Sequence, residues 1–552
     1  MATTLEHASS TRSDRFCSRI ILASTLGTIF EAYDFFLAAT LAAFLSKSVF
    51  AGVNSTAAFF FTLLSFAAGF VARPFGALLF GHLGDVFGRK GTFLMTIVVM
   101  GLATFIIGIL PGYPTIGIAS PLIFIAMRLL QGLALGGEYG GAATYVAEHA
   151  PPDRRGAWTS WMQMGAGLGF LLCALGILFV RWAVGDQVFS DWGWRIPFVA
   201  SIVLLVFSVW MRLRLEESPA FALMKHKGIR SKMPLHEAFG NRANLRIVLV
   251  SLFGMLSGVA MIWFTSLFYA FFFVTQTLKV DGAMANMLFG GALVVSAPLY
   301  VAFGKLSDRI GRKPVILAGC LLGAVLLIPL FKATTHYINP SLEAALVRSP
   351  VTVYADTAEC STQFNPTGTA KFTSSCDIAK NALSQAGISY KNVTLPAGST
   401  ARITVGDAVI ESYEGTLPDA KAKGATFHQA LHARLHAAGY PSRANPAQIN
   451  VVMAILLLSI LMGLGAMAYA PVAATLVEMF PTRIRYSAMS LPYHIGMGWF
   501  GGFLPATAFA IVASNGDIYS GLRYPIIVGI SSFFIGLLFM KETRDVDINA
   551  QT

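Results

Sequence analysis

The sequence predicts an all-α membrane protein with twelve spanning helices in two pseudo-symmetric six-helix halves. Hydrophobic residues make up 55% of the 552 residues and charged residues only 12%, which is more apolar than the surface of a water-soluble domain tolerates. A spanning helix needs roughly 20 mostly apolar residues. Such stretches, α1 to α12 in chain order, lie at 20–46, 56–80, 92–111, 118–147, 156–184, 194–212, 246–273, 283–303, 314–332, 450–478, 486–513 and 522–540.

The basic residues are concentrated in every second loop between the predicted helices. The net charge is +12, and the positive residues concentrate in the polar first 19 residues, the even-to-odd loops and the C-terminal tail. The odd-to-even loops carry only an occasional lysine, such as Lys47 or Lys279. Because cytoplasmic loops are the ones enriched in Lys and Arg, we expect both termini in the cytoplasm. The excess charge therefore indicates membrane orientation, and we expect no nucleic-acid partner.

Two loop motifs occur twice in the chain. Gly81–Lys90 after α2 reappears as Gly304–Lys313 after α8, and Glu148–Arg154 at the end of α4 is similar to Glu478–Arg483 at the end of α10. Such duplication predicts two halves of six helices, joined by a cytoplasmic linker at 213–245.

The duplicated loops combine glycines, which allow tight reversals, with charges that can exchange ion-pair partners. We therefore predict a cytoplasmic gate, although the Arg-Lys pairs also fix topology. Its residues are Gly81, Asp85, Gly88, Arg89, Lys90, Asp308, Gly311, Arg312, Lys313, Glu148, Arg154, Glu478 and Arg483.

These loops resemble the signature of the major facilitator superfamily. The chain is more narrowly similar to its metabolite:proton symporter branch, which contains proline/betaine, α-ketoglutarate, shikimate and citrate permeases. The matching segments are Glu31–Phe35, Arg73–Gly76, Arg128–Gly132, Gly136–Glu138, Trp194–Phe198, Glu216–Pro219 and Phe480–Tyr486. The resemblance implies a transporter of the bacterial inner membrane that carries an organic acid with protons. We expect the proton gradient to supply the energy, since no Gly-x-x-x-x-Gly-Lys-Ser/Thr loop for ATP is present. We also expect a monomer without a cofactor.

Charged residues cluster within the spans of the first half, where they are costly and therefore indicate function. Glu31 lies eleven residues into α1, roughly 16 Å deep at 1.5 Å per residue, and Asp34 follows on the same face. Arg73 and Arg128 should also approach the midplane, where a guanidinium must pair with a carboxylate or bind an anion. We predict that protonation of Glu31 or Asp34 frees an arginine for substrate, with Glu138 as a further coupling candidate. A static salt-bridge network is the alternative.

Substrate binding is predicted for residues that combine charge or a polar handle with bulk, which suits a cavity wall. They are Arg73, Arg128, Tyr33, Gln131, Trp263, Tyr269, Tyr493 and His494. Two arginines favour a di- or tricarboxylate. A zwitterionic osmolyte such as proline or betaine is the alternative, because one arginine could serve one carboxylate. A membrane enzyme is disfavoured, since neither His-Glu-x-x-His nor Gly-x-Ser-x-Gly occurs in the loops.

The segment 333–449 interrupts the second half on the extracytoplasmic side. Strand-like runs at 351–354 and 401–405 and helix-like runs at 377–385 and 427–438 predict a small α/β subdomain. Cys360 and Cys376 lie in an oxidising compartment and are predicted to form a disulfide. His428, His432 and His436 share a helix face, but no acidic partner accompanies them and we predict no metal site. A membrane sensor with this segment as its receptor is the alternative to a transporter.

The predicted organisation is thus an N-terminus, a first half, a linker, a second half that an insert interrupts, and a tail. The boundaries are 1–19 for the cytoplasmic N-terminus, 20–212 for the first half, 213–245 for the linker, 246–332 for helices α7–α9, 333–449 for the insert, 450–541 for α10–α12 and 542–552 for the cytoplasmic tail.

Overall fold

The protein is described by a computed structural model that covers residues 21–38, 40–51, 55–214, 226, 233–361 and 373–548. The predicted N-terminus 1–19, the Glu216–Pro219 motif and the end of the tail lie outside the described residues. The long helices are α1 Ile21–Ala38, α2 Ser55–Phe87, α3 Arg89–Ile109, α4 Ala119–His149, α5 Arg155–Val184, α6 Ile196–Leu213, α7 Arg242–Thr277, α8 Gly282–Ile310, α9 Arg312–Ile338, α10 Val451–Met479, α11 Arg485–Asn515 and α12 Arg523–Phe539.

The twelve-helix architecture is confirmed for the described part of the chain. Eleven of its helices are long and apolar enough to cross a membrane, and the apolar α2, with 33 residues, is the twelfth long helix. A short helix, Ala42–Val49, continues α1. Helices are the structures that satisfy every backbone polar group within one segment in lipid, so the apolar stretches of the sequence correspond closely to the observed helices.

Close packing inside the first half depends on glycines of α2 and α4. A Cβ placed on Gly76 would collide with the Leu133 carbonyl, and one placed on Gly136 would collide with the Arg73 carbonyl. Small residues let helix backbones approach in membranes. The glycines of α4 therefore bring α2, and with it Arg73, against the centre of the half.

Helices α7 and α11 are irregular at the level of the candidate site. Three π-helical turns interrupt α7, at Leu252–Leu256, Thr265–Tyr269 and Phe273–Thr277, and a longer one occupies His494–Gly501 in α11. Helix α10 is broken between Tyr469 and Val472. Such π-bulges occur frequently at functional sites, and these three helices face the first half across the centre of the protein.

The insert between α9 and α10 is an α/β subdomain, as predicted. Its sheet has the order β2-β1-β3-β4, with β1 Val351–Ala355, β2 Tyr390–Thr394, β3 Arg402–Val405 and β4 Ala408–Glu411. Strands β1 and β2 are parallel and are connected through the helix Ser375–Ala386, whereas β3 pairs antiparallel with β1 and β4. A helix Pro340–Arg348 precedes the sheet and a helix Ala420–Ala437 follows it.

The disulfide and the histidine face both belong to this subdomain. Cys360 is joined to Cys376, with 5.4 Å between their Cα atoms. The helix Ala420–Ala437 buries Phe427, Leu431 and Leu435 and leaves the three histidines exposed. Partial burial lowers the pKa of His428, and the neighbouring His432 lowers it further. The described residues contain no group of three or more metal-ligating side chains close enough to hold an ion.

The insert rests on the second half. Tyr390 N–H donates to the Gly516 carbonyl at 2.6 Å, and Ala444 N–H donates to the Lys279 carbonyl at 3.0 Å. Asn450 N–H donates to the Tyr337 carbonyl at 2.9 Å, so the chain leaves α9 and enters α10 at nearly the same point. The predicted start of the insert at residue 333 is too early, because α9 continues through polar residues as far as Ile338.

Candidate functional site

A central cavity lies between the two halves and is lined by residues of both. It encloses about 90 Å³, which is less than the roughly 300–1,000 Å³ of typical ligand pockets. Five predicted site residues line it: Glu31, Arg73, Trp263, Tyr493 and His494. Because the space is so small, the halves are closed around it and must separate to admit a substrate.

Arg73 is the cation of the central cavity. Its guanidinium lies over the rings of Phe35 and Phe70, with 4.5 Å and 4.1 Å to the ring centroids. Among the described residues no hydrogen bond or ion pair engages it, and its buried Nε has no partner. Aromatic rings cover the faces of a guanidinium and leave its N–H edges for a ligand. Arg73 therefore presents unused donors at a buried position.

Glu31 and His494 are the other unsatisfied polar groups of the cavity. Within the described part of the chain, Glu31 Oε1 and both ring nitrogens of His494 are buried without a hydrogen bond that meets standard geometry. Buried polar groups in folded proteins are almost always hydrogen-bonded. A carboxylate, a guanidinium and an imidazole with unsatisfied polar atoms line one cavity, which is consistent with a site that awaits a polar ligand.

Hydroxylated aromatic residues form the wall opposite Arg73. Tyr469 and Tyr493 share a hydrogen bond of 2.5 Å between their hydroxyl groups, and Tyr139 stacks on Tyr493 with ring centroids 3.4 Å apart. Gln163 donates to the Tyr139 hydroxyl at 3.1 Å. Trp263 donates to the hydroxyl of Tyr300 at 2.7 Å. Tyr139 and Gln163 were missed in the sequence, where nothing separates a cavity-facing residue of α4 or α5 from a packed one.

Arg128, Gln131 and Asp34 lie behind the cavity wall instead of lining it. Arg128 donates to Gln131 Oε1 at 2.5 Å and to the Phe35 carbonyl at 3.4 Å. Gln131 Nε2 donates to the Thr104 hydroxyl at 2.7 Å, and Asp34 lies beside the same hydroxyl. The predicted pair of arginines is thus divided: Arg73 reaches the cavity, and Arg128 ends a buried polar row that runs through Gln131 and Thr104 to Asp34.

Three further predicted site residues are engaged away from the cavity. Glu138 pairs with Arg212 of α6 at 2.7 Å. Tyr33 donates its hydroxyl proton to the Pro197 carbonyl at 2.9 Å. Tyr269 packs against Phe331 and Phe509 in the second half. None of these three side chains lines the cavity, because counting residues along a helix gives depth but not the direction in which a side chain points.

A layer of phenylalanines closes the cavity on the side away from the gate. Phe36 of α1 lies 5.2 Å from Phe268 of α7 and 5.7 Å from Phe170 of α5, measured between ring centroids. Phe170 and Phe268 complete the triangle at 6.3 Å. As far as the described residues show, side-chain packing alone joins the halves in this layer, so the layer can open without breaking an ion pair.

At the opposite end, the two duplicated aspartates connect the halves. Asp308 accepts hydrogen bonds from Gly156 N–H and Ala157 N–H, both at 2.8 Å. Asp85 accepts from Ser487 N–H at 2.9 Å and from Tyr486 N–H at 3.3 Å. Each carboxylate therefore binds the N-terminus of a helix in the other half, α5 or α11, where unpaired N–H groups and the helix dipole favour an anion.

Buried ion pairs reinforce both contacts. Glu478 pairs with Arg155 at 3.0 Å and with Arg312 at 3.2 Å, and Arg312 also pairs with Asp308 at 2.5 Å. In the companion cluster, Glu148 pairs with Arg89 and, at 2.7 Å, with Arg485. These clusters join the halves, so the predicted gate is closed in this structure.

At two predicted gate positions, a nearby arginine forms the buried ion pair in place of the predicted one. Arg154 is 72% exposed and pairs only with the exposed Asp153, whereas Arg155 is buried on Glu478. Arg483 pairs with Glu237 of the linker helix Pro234–Gly240. Arg485, instead of Arg483, forms the buried ion pair with Glu148. The turn Pro152–Arg154 directs Arg154 outward, and the helix that begins at Arg155 directs that residue inward.

The remaining predicted gate residues shape the ends of helices. Lys90 donates to the Leu213 carbonyl at the end of α6, and Lys313 donates to the Met540 carbonyl at the end of α12. Gly88 and Gly311 have φ of 126° and 107°, values that side chains rarely tolerate. A Cβ on Gly81 would lie 3.0 Å from Ser487 Cα, so this glycine lets α2 approach α11.

The fold and the paired gate define a secondary membrane transporter rather than an enzyme. The family model described as "Sugar (and other) transporter" matches residues 20–246 and 426–552, and the chain belongs to this family, within the major facilitator superfamily.

Named relatives are transporters as well. The chain is 35% identical over 360 residues to the "Inner membrane metabolite transport protein YhjE" of Escherichia coli K12, which covers 64% of this chain and 79% of that protein. It is 34% identical over 323 residues to the "Shikimate transporter" of the same organism, covering 57% and 72%, and 32% identical to its "Proline/betaine transporter", covering 57% and 64%. The proton:xylose symporter XylE bound to 6-bromo-6-deoxy-D-glucose is similar in structure, with a TM-score of 0.62, 16% identity and coverage of 98% and 99%. This last similarity supports the fold alone.

Proposed function

We propose that the protein is a proton-coupled symporter that imports a small carboxylate-bearing metabolite by alternating access. The observation that carries the proposal is the Arg73 guanidinium, buried in the central cavity without an ion pair among the described residues. A guanidinium binds a carboxylate through two parallel hydrogen bonds. A buried cation that lacks a protein carboxylate is stabilised when the substrate supplies one.

The proton site is proposed at Asp34, with Glu31 as the group that senses the substrate. Asp34 lies outside the cavity and beside the Thr104 hydroxyl, at the end of the row that leads to Arg128. Its Oδ1 has no hydrogen-bond partner among the described residues. Burial without a charge partner disfavours an ionised carboxylate, so Asp34 is suited to carry a proton through the closed state. Glu138 is not included, because its pair with Arg212 already balances its charge.

The cavity favours one carboxylate on the substrate. A di- or tricarboxylate was expected from two arginines, but only Arg73 lines the cavity. A zwitterion is a second candidate that a specific observation favours. Glu31 and the rings of Trp263 and Tyr493 line the same space, and carboxylates and aromatic faces both attract organic cations. Proline and betaine carry that combination of charges.

We further propose that the protein lies in a bacterial inner membrane with both termini in the cytoplasm. The basic residues of the duplicated loops support this orientation, and the gate would then close the cytoplasmic side.

The test is uptake by purified protein in liposomes, with and without an inward proton gradient. The substrate panel contains monocarboxylates, di- and tricarboxylates, proline and betaine. We expect gradient-driven accumulation of a compound with one carboxylate, loss of uptake in Arg73→Gln, and partial recovery in Arg73→Lys. Arg154→Gln is the matched control, since it removes an exposed arginine and should transport normally. Accumulation that is independent of the proton gradient, or normal uptake by Arg73→Gln, would overturn the proposal.

A further inference from the structure

A second cavity lies in the first half, at the end opposite the gate and away from the central cavity. It has a volume of about 460 Å³ and lies between the end of the helix Ala42–Val49, the α3–α4 loop and the α5–α6 connection. We call it the outer cleft. Its polar lining includes Lys47, Ser48, Thr115, Ser190, Asp191 and Arg195.

The outer cleft collects basic residues on the side where the chain otherwise has few. Lys47 and Arg195 both line it, and neither forms an ion pair with another described residue. Arg195 stacks on Trp194 at 4.3 Å and donates to the Ser48 hydroxyl oxygen at 3.1 Å. These contacts hold the guanidinium in place, and they leave the Ser48 O–H free to donate to a ligand.

The one carboxylate in the lining does not neutralise these cations. Asp191 is engaged by the Gln187 amide at 3.4 Å, and no ion pair within the described residues links it to Lys47 or Arg195. The outer cleft therefore carries two cations against one carboxylate. Its hydroxyl groups add neutral donors, so the lining is complementary to a compact anion with several oxygen atoms.

The cleft lies close to aromatic residues that are typical of a membrane interface. Trp182, in the last turn of α5, is 80% exposed, and Trp192, next to Asp191, is 54% exposed. Tryptophans concentrate at the level of the lipid headgroups. The outer cleft is thus placed at the level of the lipid headgroups, where phospholipid phosphates are abundant.

We propose that the outer cleft is a binding site for a phosphate-type anion, carried by the headgroup of an anionic phospholipid or free in solution. Lys47 supplies the ammonium and Arg195 the guanidinium that contact its oxygens. The site is separate from the central cavity and does not depend on the identity of the transported substrate.

The experiment measures lipid retention and thermal stability of the full-length protein in detergent. Phosphatidylglycerol, phosphatidylcholine and inorganic phosphate are titrated separately, and retained lipids are counted by native mass spectrometry. Lys47→Gln is the main variant, because Lys47 makes no hydrogen bond or ion pair to another described residue whose loss would unfold the protein. Lys47→Arg keeps the charge. Lys391→Gln, on the exposed part of β2, is the matched control for loss of one positive charge.

We expect phosphatidylglycerol to bind in preference to phosphatidylcholine, and Lys47→Gln to weaken its binding about fivefold. Lys47→Arg and Lys391→Gln should bind as the unmodified protein does. A Lys47-dependent stabilisation by inorganic phosphate that equals the lipid effect would assign the site to a soluble anion. Equal retention of both lipids without any response to phosphate, or unchanged binding in Lys47→Gln, would overturn the proposal.

Discussion

Replacement of Arg155 by Gln should open the cytoplasmic gate, whereas the same replacement at Arg154 should not. Arg155 pairs with Glu478 at 3.0 Å, and the two side chains are 3% and 0% exposed. The pair joins α5 of the first half to α10 of the second, so it exists only while the gate is closed. Arg154 is adjacent in sequence but pairs with Asp153 at 3.5 Å in solvent.

The free energy that the closed state loses depends on the partners that Glu478 keeps after the replacement of Arg155. Breaking a buried ion pair costs about 3–5 kcal/mol when the remaining charge loses all partners. Glu478 keeps Arg312 and a hydrogen bond of 2.8 Å from Thr543, so the loss of one charged hydrogen bond, about 2–3 kcal/mol, is the better estimate. At about 1.4 kcal/mol per tenfold change, the closed state should lose roughly 30- to 140-fold in relative population. The exposed Arg154 pair is worth at most about 1 kcal/mol.

Pulsed electron paramagnetic resonance can measure this shift in liposomes. Spin labels at positions 214 and 309, which are exposed at the ends of α6 and α8, report the distance between the halves on the gate side. Arg155→Gln should add or enlarge a population at longer distance, and Arg154→Gln should leave the distribution unchanged. An unchanged distribution in Arg155→Gln, or the same shift in both variants, would refute the assignment of the gate to the buried arginine.

Three other variants test separate parts of the structure. Asp34→Asn should abolish accumulation driven by a proton gradient while counterflow exchange continues, because only the proposed proton site is lost; intact accumulation would contradict this role. Tyr493→Phe removes the hydrogen bond to Tyr469, worth about 1 kcal/mol, and should raise KM several-fold with little change in thermal stability; an unaltered KM would place the hydroxyl outside the substrate path. Cys376→Ser breaks the link to Cys360 and should destabilise the insert by about 3 kcal/mol. Limited proteolysis should then cleave the insert faster while uptake persists, and an unchanged cleavage rate would argue against the link.

The helices could be predicted because the bilayer restricts the chain to few choices. A stretch of roughly 20 apolar residues in lipid must be helical, since no water is available for free backbone groups. The α/β character of the insert was also visible in its alternating runs. The docking of the insert could not be predicted, because it depends on contacts such as Tyr390 with Gly516 that join distant parts of the chain.

The candidate site was predicted only in part, because residue counting gives depth but not direction. Arg73 and Arg128 lie at similar predicted depths, yet one faces the cavity and the other faces Gln131. Glu138 has the depth expected of a coupling residue, but it is paired with Arg212 at the end of α6, a partner that the sequence did not indicate. A single-residue shift at a helix start had the same effect at the gate, where Arg155 rather than Arg154 points inward. Three-dimensional packing, which no local pattern encodes, decides each of these cases.

The hydrogen bond between Asn450 and Tyr337 holds the two ends of the insert side by side, so the insert could be removed from an engineered variant. Its two ends meet at a single point above α9 and α10, so the module could be exchanged for a short turn without changing the distance that the bundle must bridge. Short connections close with little entropy cost, and the helices on either side already continue to Ile338 and start again at Val451. The same junction is an insertion site for a fluorescent or affinity module. Such a module would label the transporter at a position remote from its gate.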